Sequence, residues 1–151
     1  MDKRSSFTLI EIVVVVGIFL SLAMLLIPFS IQQLNQNRAE SSTKIIYSKL
    51  FFLQQNAYTQ LDNLSYGMEL GSNTVTLFNG YSTDNYLSSE ILSLEAGVTI
   101  KSKNLNNGSN KIFFPKGSVR PNTYGSLTIG DSSNTYRLDI NSEGLINYYR
   151  E

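Results

Sequence analysis

The sequence predicts an α+β protein: one long N-terminal helix joined to an antiparallel β-sheet head. Three observations carry that expectation. Residues 7–29 form an apolar run holding a single charge, Glu11. Residues 46–64 then place Ile46, Leu50, Leu53, Ala57, Leu61 and Leu64 at steps of three and four, which is one stripe of a helix. From Tyr66 onward, short alternating apolar segments are separated by Gly and Asn, the signature of strands and turns.

The chain of 151 residues fits one modest domain with an appendage. Twelve Lys and Arg balance twelve Asp and Glu, so no bulk charge draws the protein to nucleic acid or anionic lipid. There is no cysteine and no histidine. That removes disulfides, thiolate chemistry, histidine acid–base catalysis and the usual zinc sites. The 15 Asn and 20 Ser fall almost entirely beyond the apolar run and mark a polar, solvated surface there.

A helix over residues 7–29 reaches roughly 34 Å, enough for a bilayer core of about 30 Å. Lys3 and Arg4 precede it, so the N-terminus is expected inside and the remainder outside. A secretory signal peptide has a shorter apolar region and a small-residue cleavage site; this run ends instead at Ile27-Pro28-Phe29. A plain signal anchor remains the simpler alternative. Glu11 argues against it, because an unpaired carboxylate in a membrane helix costs up to about 3 kcal/mol and a tether gains nothing from it. No Lys or Arg lies within the run, so its partner is expected from outside. A chain cut between Ser6 and Phe7 would offer one, the α-amine of a neighbouring copy, and that pair would set the register between subunits.

These residues resemble a known family. Ser6 followed by Phe7-Thr8-Leu9-Ile10-Glu11 looks like the prepilin-type signal of type IV pilins and pseudopilins. The resemblance implies cleavage before Phe7 by a prepilin peptidase, N-methylation of Phe7, and pairing of Glu11 with the Phe7 amine of an adjacent subunit. The residue before the cut is usually Gly in the family, and here it is Ser6. Pro28 matches a proline that breaks the anchor helix in many pilins, and its missing donor and ring clash agree. Gly17 loosens the same helix. Partial melting between them on assembly is what the resemblance implies.

Beyond Phe29 the helix is expected to turn amphipathic and continue to about Leu61, some 80 Å in all, with Gln32, Gln33, Arg38, Glu40, Lys44 and Gln55 between its apolar positions. The expected boundaries are a leader at 1–6, an assembly and membrane helix at 7–29, an amphipathic helix at 30–64 and a β head at 65–151. Strand signals fall at 74–77, 98–101, 111–114, 126–129, 135–140 and 145–149, with Tyr136, Leu138 and Ile140 sharing a face. Asp84–Leu94 is expected to be a short helix. The segment from Ile112 to Tyr149, with Pro115, Gly117 and Gly144 at its turns, resembles the end of GspH/FimT-type pseudopilins and minor pilins. Small major pilins often close the head with a disulfide, which this chain cannot form.

Nothing points to catalysis. Ser41 and Lys44 match S-x-x-K, but the companion motifs of penicillin-interacting enzymes are missing. No cofactor is expected. Residues 56–100 hold five acids and no base, while Lys101, Lys103, Lys111, Lys116 and Arg120 crowd residues 101–120 without an acid. Solvated faces explain this pattern simply. A head with opposed charged sides is the sharper reading, and DNA contact through the five bases, with Phe113, Phe114 and Tyr124 stacking, is sharper still. The sequence thus predicts a minor pilin or pseudopilin of a type IV pilus, type II secretion or competence filament. The partners that the resemblance implies are other subunits, the prepilin peptidase and an inner-membrane assembly platform; membrane lipid and, weakly, DNA are expected beside them. A membrane-anchored module binding DNA or protein is the alternative.

Overall fold

The computed structural model describes the backbone of residues 8–151, and the side chains of residues 8–24 and 37–151. The chain is α+β. Helix α1 spans Leu9–Tyr58 and is followed by a single 3-10 turn, Leu61–Asn63. Eight strands follow: β1 (Ser65–Leu70), β2 (Thr74–Ser82), β3 (Asn85–Ser93), β4 (Thr99–Leu105), β5 (Lys111–Phe114), β6 (Gly125–Gly130), β7 (Thr135–Ile140) and β8 (Ile146–Arg150). The chain divides into two compact units, the second being Asn35–Glu151, which is the head.

The head differs from the expected single sheet. Its strands form two four-stranded antiparallel sheets, β3-β2-β1-β5 and β4-β6-β7-β8. The predicted stripe of α1 shares one core with both sheets. Ile46, Leu50, Leu53 and Ala57 are buried with Met68, Leu70, Val75 and Ile112 of one sheet and Ile100, Leu127, Ile129 and Leu138 of the other. Burial alternates along β7, with Tyr136, Leu138 and Ile140 inside, as a half-buried strand requires.

The stripe ends sooner than its spacing suggests. α1 stops at Tyr58; Leu61 lies beyond it and is exposed, whereas Leu64 is buried from the following segment. Gln60, Asp62 and Asn63 all adopt positive φ, a conformation that ends a helix and that Asn and Asp tolerate best. The Gly117 amide then donates to the Ala57 carbonyl at 2.7 Å, so the predicted Pro115–Gly117 turn adds a shorter second bond to a carbonyl of the last helical turn that also accepts from the Gln60 amide at 3.2 Å.

The expected short helix at Asp84–Leu94 is a strand, β3, paired along β2. Leu87, Ile91 and Leu94 fit a helical stripe, whereas Tyr86, Leu92 and Leu94 fit a period of two. The unpaired edge of the nine-residue β2 decides between them, because its backbone groups need a partner.

Candidate functional site

In the N-terminal half of α1 every large apolar side chain from Leu9 to Met24 is 48–82% exposed. No face of this segment is covered. A helix that is apolar all round belongs in a core or a membrane, so the single chain leaves this surface without its natural neighbour. Among the described residues no helix is long and apolar enough to cross a membrane; the side chains of residues 25–29, which complete the apolar run, lie outside those described. α1 passes through Gly17 as helix, with open space around it. Ser6, Phe7 and the Pro28 side chain also lie outside the described set.

Glu11 has a local partner that the sequence reading overlooked. The Thr8 amide and the Thr8 hydroxyl each donate to Oε2 of Glu11 at 2.8 Å, and the Glu11 amide reaches back to Thr8 Oγ1 at 3.4 Å. This is a capping box, legible as T-x-x-E at the start of an apolar run. The carboxylate is therefore not bare in the single chain, and both bonds from Thr8 fall on one oxygen.

The five bases come from three places in the chain, and four of them have partners within the head. Lys101 and Lys103 stand on β4 of one sheet, Lys111 on β5 of the other, and Lys116 and Arg120 in the connection between β5 and β6. Lys103 Nζ donates to the Leu70 carbonyl at 2.9 Å, and Lys116 Nζ to Asn63 Oδ1 at 2.5 Å. Arg120 pairs with Glu143 at 2.5 Å, and Lys111 with Asp84 at 3.3 Å. At Lys111 the basic stretch meets the acidic one: Glu69 and Lys111 are directly cross-strand on β1 and β5. The rings proposed to stack are mostly unavailable, since Phe113 and Phe114 are buried and only Tyr124 is partly exposed.

The S-x-x-K match also resolves structurally. Lys44 lies 2.6 Å from Glu40 on the same helix face. The hydrogen bond and charge of Glu40 raise its pKa, the wrong direction for a lysine that must act as a base. Among the described residues, no group of three or more His, Cys, Asp or Glu is placed to hold a metal ion.

Gln54 is a second residue missed from the sequence. It is buried on α1, and its Nε2 donates to the Val119 carbonyl at 2.8 Å and the Gly144 carbonyl at 2.6 Å. Two connections between strands are thereby fastened to the helix. A polar residue adjoining the apolar stripe was its only signal.

No family model matches the sequence, and no curated protein matches it. Solved structures do. A structure of the minor pseudopilin EpsH from the type 2 secretion system of Vibrio cholerae covers 75% of this chain and 97% of that one, with a TM-score of 0.56 at 14% identity. A crystal structure of the same pseudopilin covers 75% and 94%, with a TM-score of 0.54 at 12% identity. The long helix set against two antiparallel sheets is therefore the pilin-type fold of a minor pseudopilin.

Proposed function

We propose that this chain is a structural subunit, a minor pilin or pseudopilin, that polymerises through its N-terminal helix. The observation that carries the reading is the uncovered apolar surface from Leu9 to Met24, on a chain whose head shares the fold of a minor pseudopilin. In this reading residues 7–29 span the inner membrane, with the N-terminus inside and the head outside. A prepilin peptidase cuts between Ser6 and Phe7 and methylates the new amine. An assembly platform then draws the helix from lipid into the core of a filament of the type II secretion kind, where neighbouring subunits cover it. Gly17 and Pro28 let that segment of the helix loosen as it packs. Polymerisation, not catalysis, is the activity.

Glu11 then has two successive partners. In the free subunit Thr8 holds it. In the filament it pairs with the amine of Phe7 on an adjacent subunit, a charge-assisted bond in a desolvated setting that is stronger than the neutral bonds it replaces. Incorporation of variants into filaments sheared from the native host separates this from simple capping. Glu11→Ala is expected to remain in the membrane with a folded head but be absent from filaments. Thr8→Val removes a capping hydroxyl and keeps the carboxylate, and is expected to be incorporated. Equal loss in both variants would make Glu11 a cap and nothing more. Intact mass gives the companion measurement: a chain beginning at N-methyl-Phe7 is expected, and a chain still beginning at Met1 beside an active peptidase would remove the filament reading.

A further inference from the structure

The outer face of the β3-β2-β1-β5 sheet carries a second, smaller core. Phe78 and Phe113 are buried, yet neither belongs to the main core under α1. They stack with ring centroids 6.3 Å apart, and Tyr86 lies over Phe78 at 4.4 Å. Gly67, cross-strand from both phenylalanines, makes room below: a Cβ there would overlap the Phe78 ring. The cover over the Phe78 ring is Tyr86, from the tip of the β2–β3 hairpin. The hairpin register shifts twice, between Asn79 and Gly80 and between Gly80 and Ser82. Bulges of this sort bend a strand pair and increase its twist. The bend brings the hairpin tip back within reach of Lys111, a residue of β5 at the far edge of the sheet.

Lys111 holds the tip. Its ammonium donates to the Thr83 carbonyl at 2.9 Å, meets Asp84 at 3.3 Å and stands 5.1 Å from the centre of the Tyr86 ring. The Tyr86 hydroxyl donates to Glu69 at 3.4 Å, on the strand between. One lysine thus joins a backbone carbonyl, a carboxylate and an aromatic face of the same hairpin. Tyr81, Leu87 and Ile91 on that hairpin are already 58–69% exposed.

We propose that the β2–β3 hairpin tip is a hinged flap over the Phe78–Phe113 face, and that Lys111 is its latch. Three features make the flap a unit separate from the main core. Its rings lie outside the core under α1, its hinge is the pair of bulges, and its tip is held by Lys111 of β5, with a longer bond from Tyr86 to Glu69 of β1. Opening uncovers Phe78 and Phe113, which the closed state buries. Elements that move are drawn from such weakly tied regions. Asp84 is the minor part of the latch, because it is almost fully exposed and exposed ion pairs contribute little.

Amide hydrogen exchange of the full chain in detergent micelles tests this, comparing the parent with Lys111→Met, Tyr86→Leu and Asp84→Ala. Lys111→Met keeps the aliphatic stem and removes the donor. It is expected to speed exchange of the Tyr81–Leu87 amides roughly tenfold, the scale of a lost charged hydrogen bond, and to leave Ile129 and Leu138 unchanged. Tyr86→Leu should act on the same amides, and Asp84→Ala should change them less than twofold. Unaltered hairpin exchange in Lys111→Met would overturn the latch. Acceleration spread over both sheets would overturn the flap as a separate unit.

Discussion

Gln54→Leu tests how α1 is fastened to the head. The substitution nearly conserves volume but removes both bonds to the Val119 and Gly144 carbonyls. The Gly144 bond is buried and the Val119 bond partly so, and neither carbonyl accepts another backbone hydrogen bond. A fully buried acceptor left unpaired costs about 2 kcal/mol and a half-buried one about 1 kcal/mol. The added apolar burial of leucine returns about 1 kcal/mol, so a net loss of about 2 kcal/mol is expected. With a urea dependence of about 1.5 kcal/mol per molar for a domain of this size, the midpoint should fall by roughly 1 M or more. Urea titration of the full chain in detergent micelles, followed by tyrosine fluorescence, reads this directly. The adjacent Gln55 is exposed, so Gln55→Leu should move the midpoint by less than about 0.3 M, the scale of surface changes. A Gln54→Leu midpoint within that same margin would refute the reasoning, because the two carbonyls would then have found water or other donors.

Further predictions follow from the same geometry. Leu50→Ala removes a fully buried side chain of α1 and should cost about 2–5 kcal/mol, whereas Phe51→Ala, at 55% exposure, should cost under about 1 kcal/mol; equal costs would contradict the assigned helix face. Gly144 has φ +87, and a Cβ would strike the Val119 carbonyl, so Gly144→Ala should destabilise the head by more than about 1 kcal/mol in the same urea assay. Burial raises the pKa of the Asp139 carboxyl, but hydrogen bonds from Arg137 and Tyr149 together with the Arg137 charge outweigh it and hold it below the ordinary value. The lowered folded value means that ionised Asp139 contributes stability above its unfolded pKa of about 4, and that this contribution disappears as pH falls through the lower folded value. The stability gap between parent and Asp139→Asn should therefore be full near neutrality and close in acid. A gap independent of pH would show that the carboxylate charge is not what the Arg137 and Tyr149 bonds recognise.

Much of the fold is legible locally. The all-apolar run needs no neighbour to be recognised as helix, and the stripe through Ile46, Leu50, Leu53 and Ala57 states which face will be buried. Alternation in β7 and the Pro115–Gly117 and Gly144 turns are likewise local patterns. The candidate site is legible for the same reason: one carboxylate in such a run stands out by composition alone. The capping role of Thr8 is written in the same stretch as T-x-x-E.

Other features depend on partners distant in the chain, and only the tertiary structure decides them. Asp84–Leu94 carries a pattern that suits helix or strand, and the open edge of β2 makes it a strand. Division into two sheets depends on which strands pair, and no single strand's sequence records its neighbour. The basic stretch shows the limit most directly. Five bases within twenty residues suggest one charged surface, but side-chain reach and the two-sheet fold send four of them to Leu70, Asp84, Asn63 and Glu143. Charge along a chain is a property of sequence. Charge on a surface depends on where each side chain finds its partner, and here Lys111 finds it in a hairpin twenty-eight residues away.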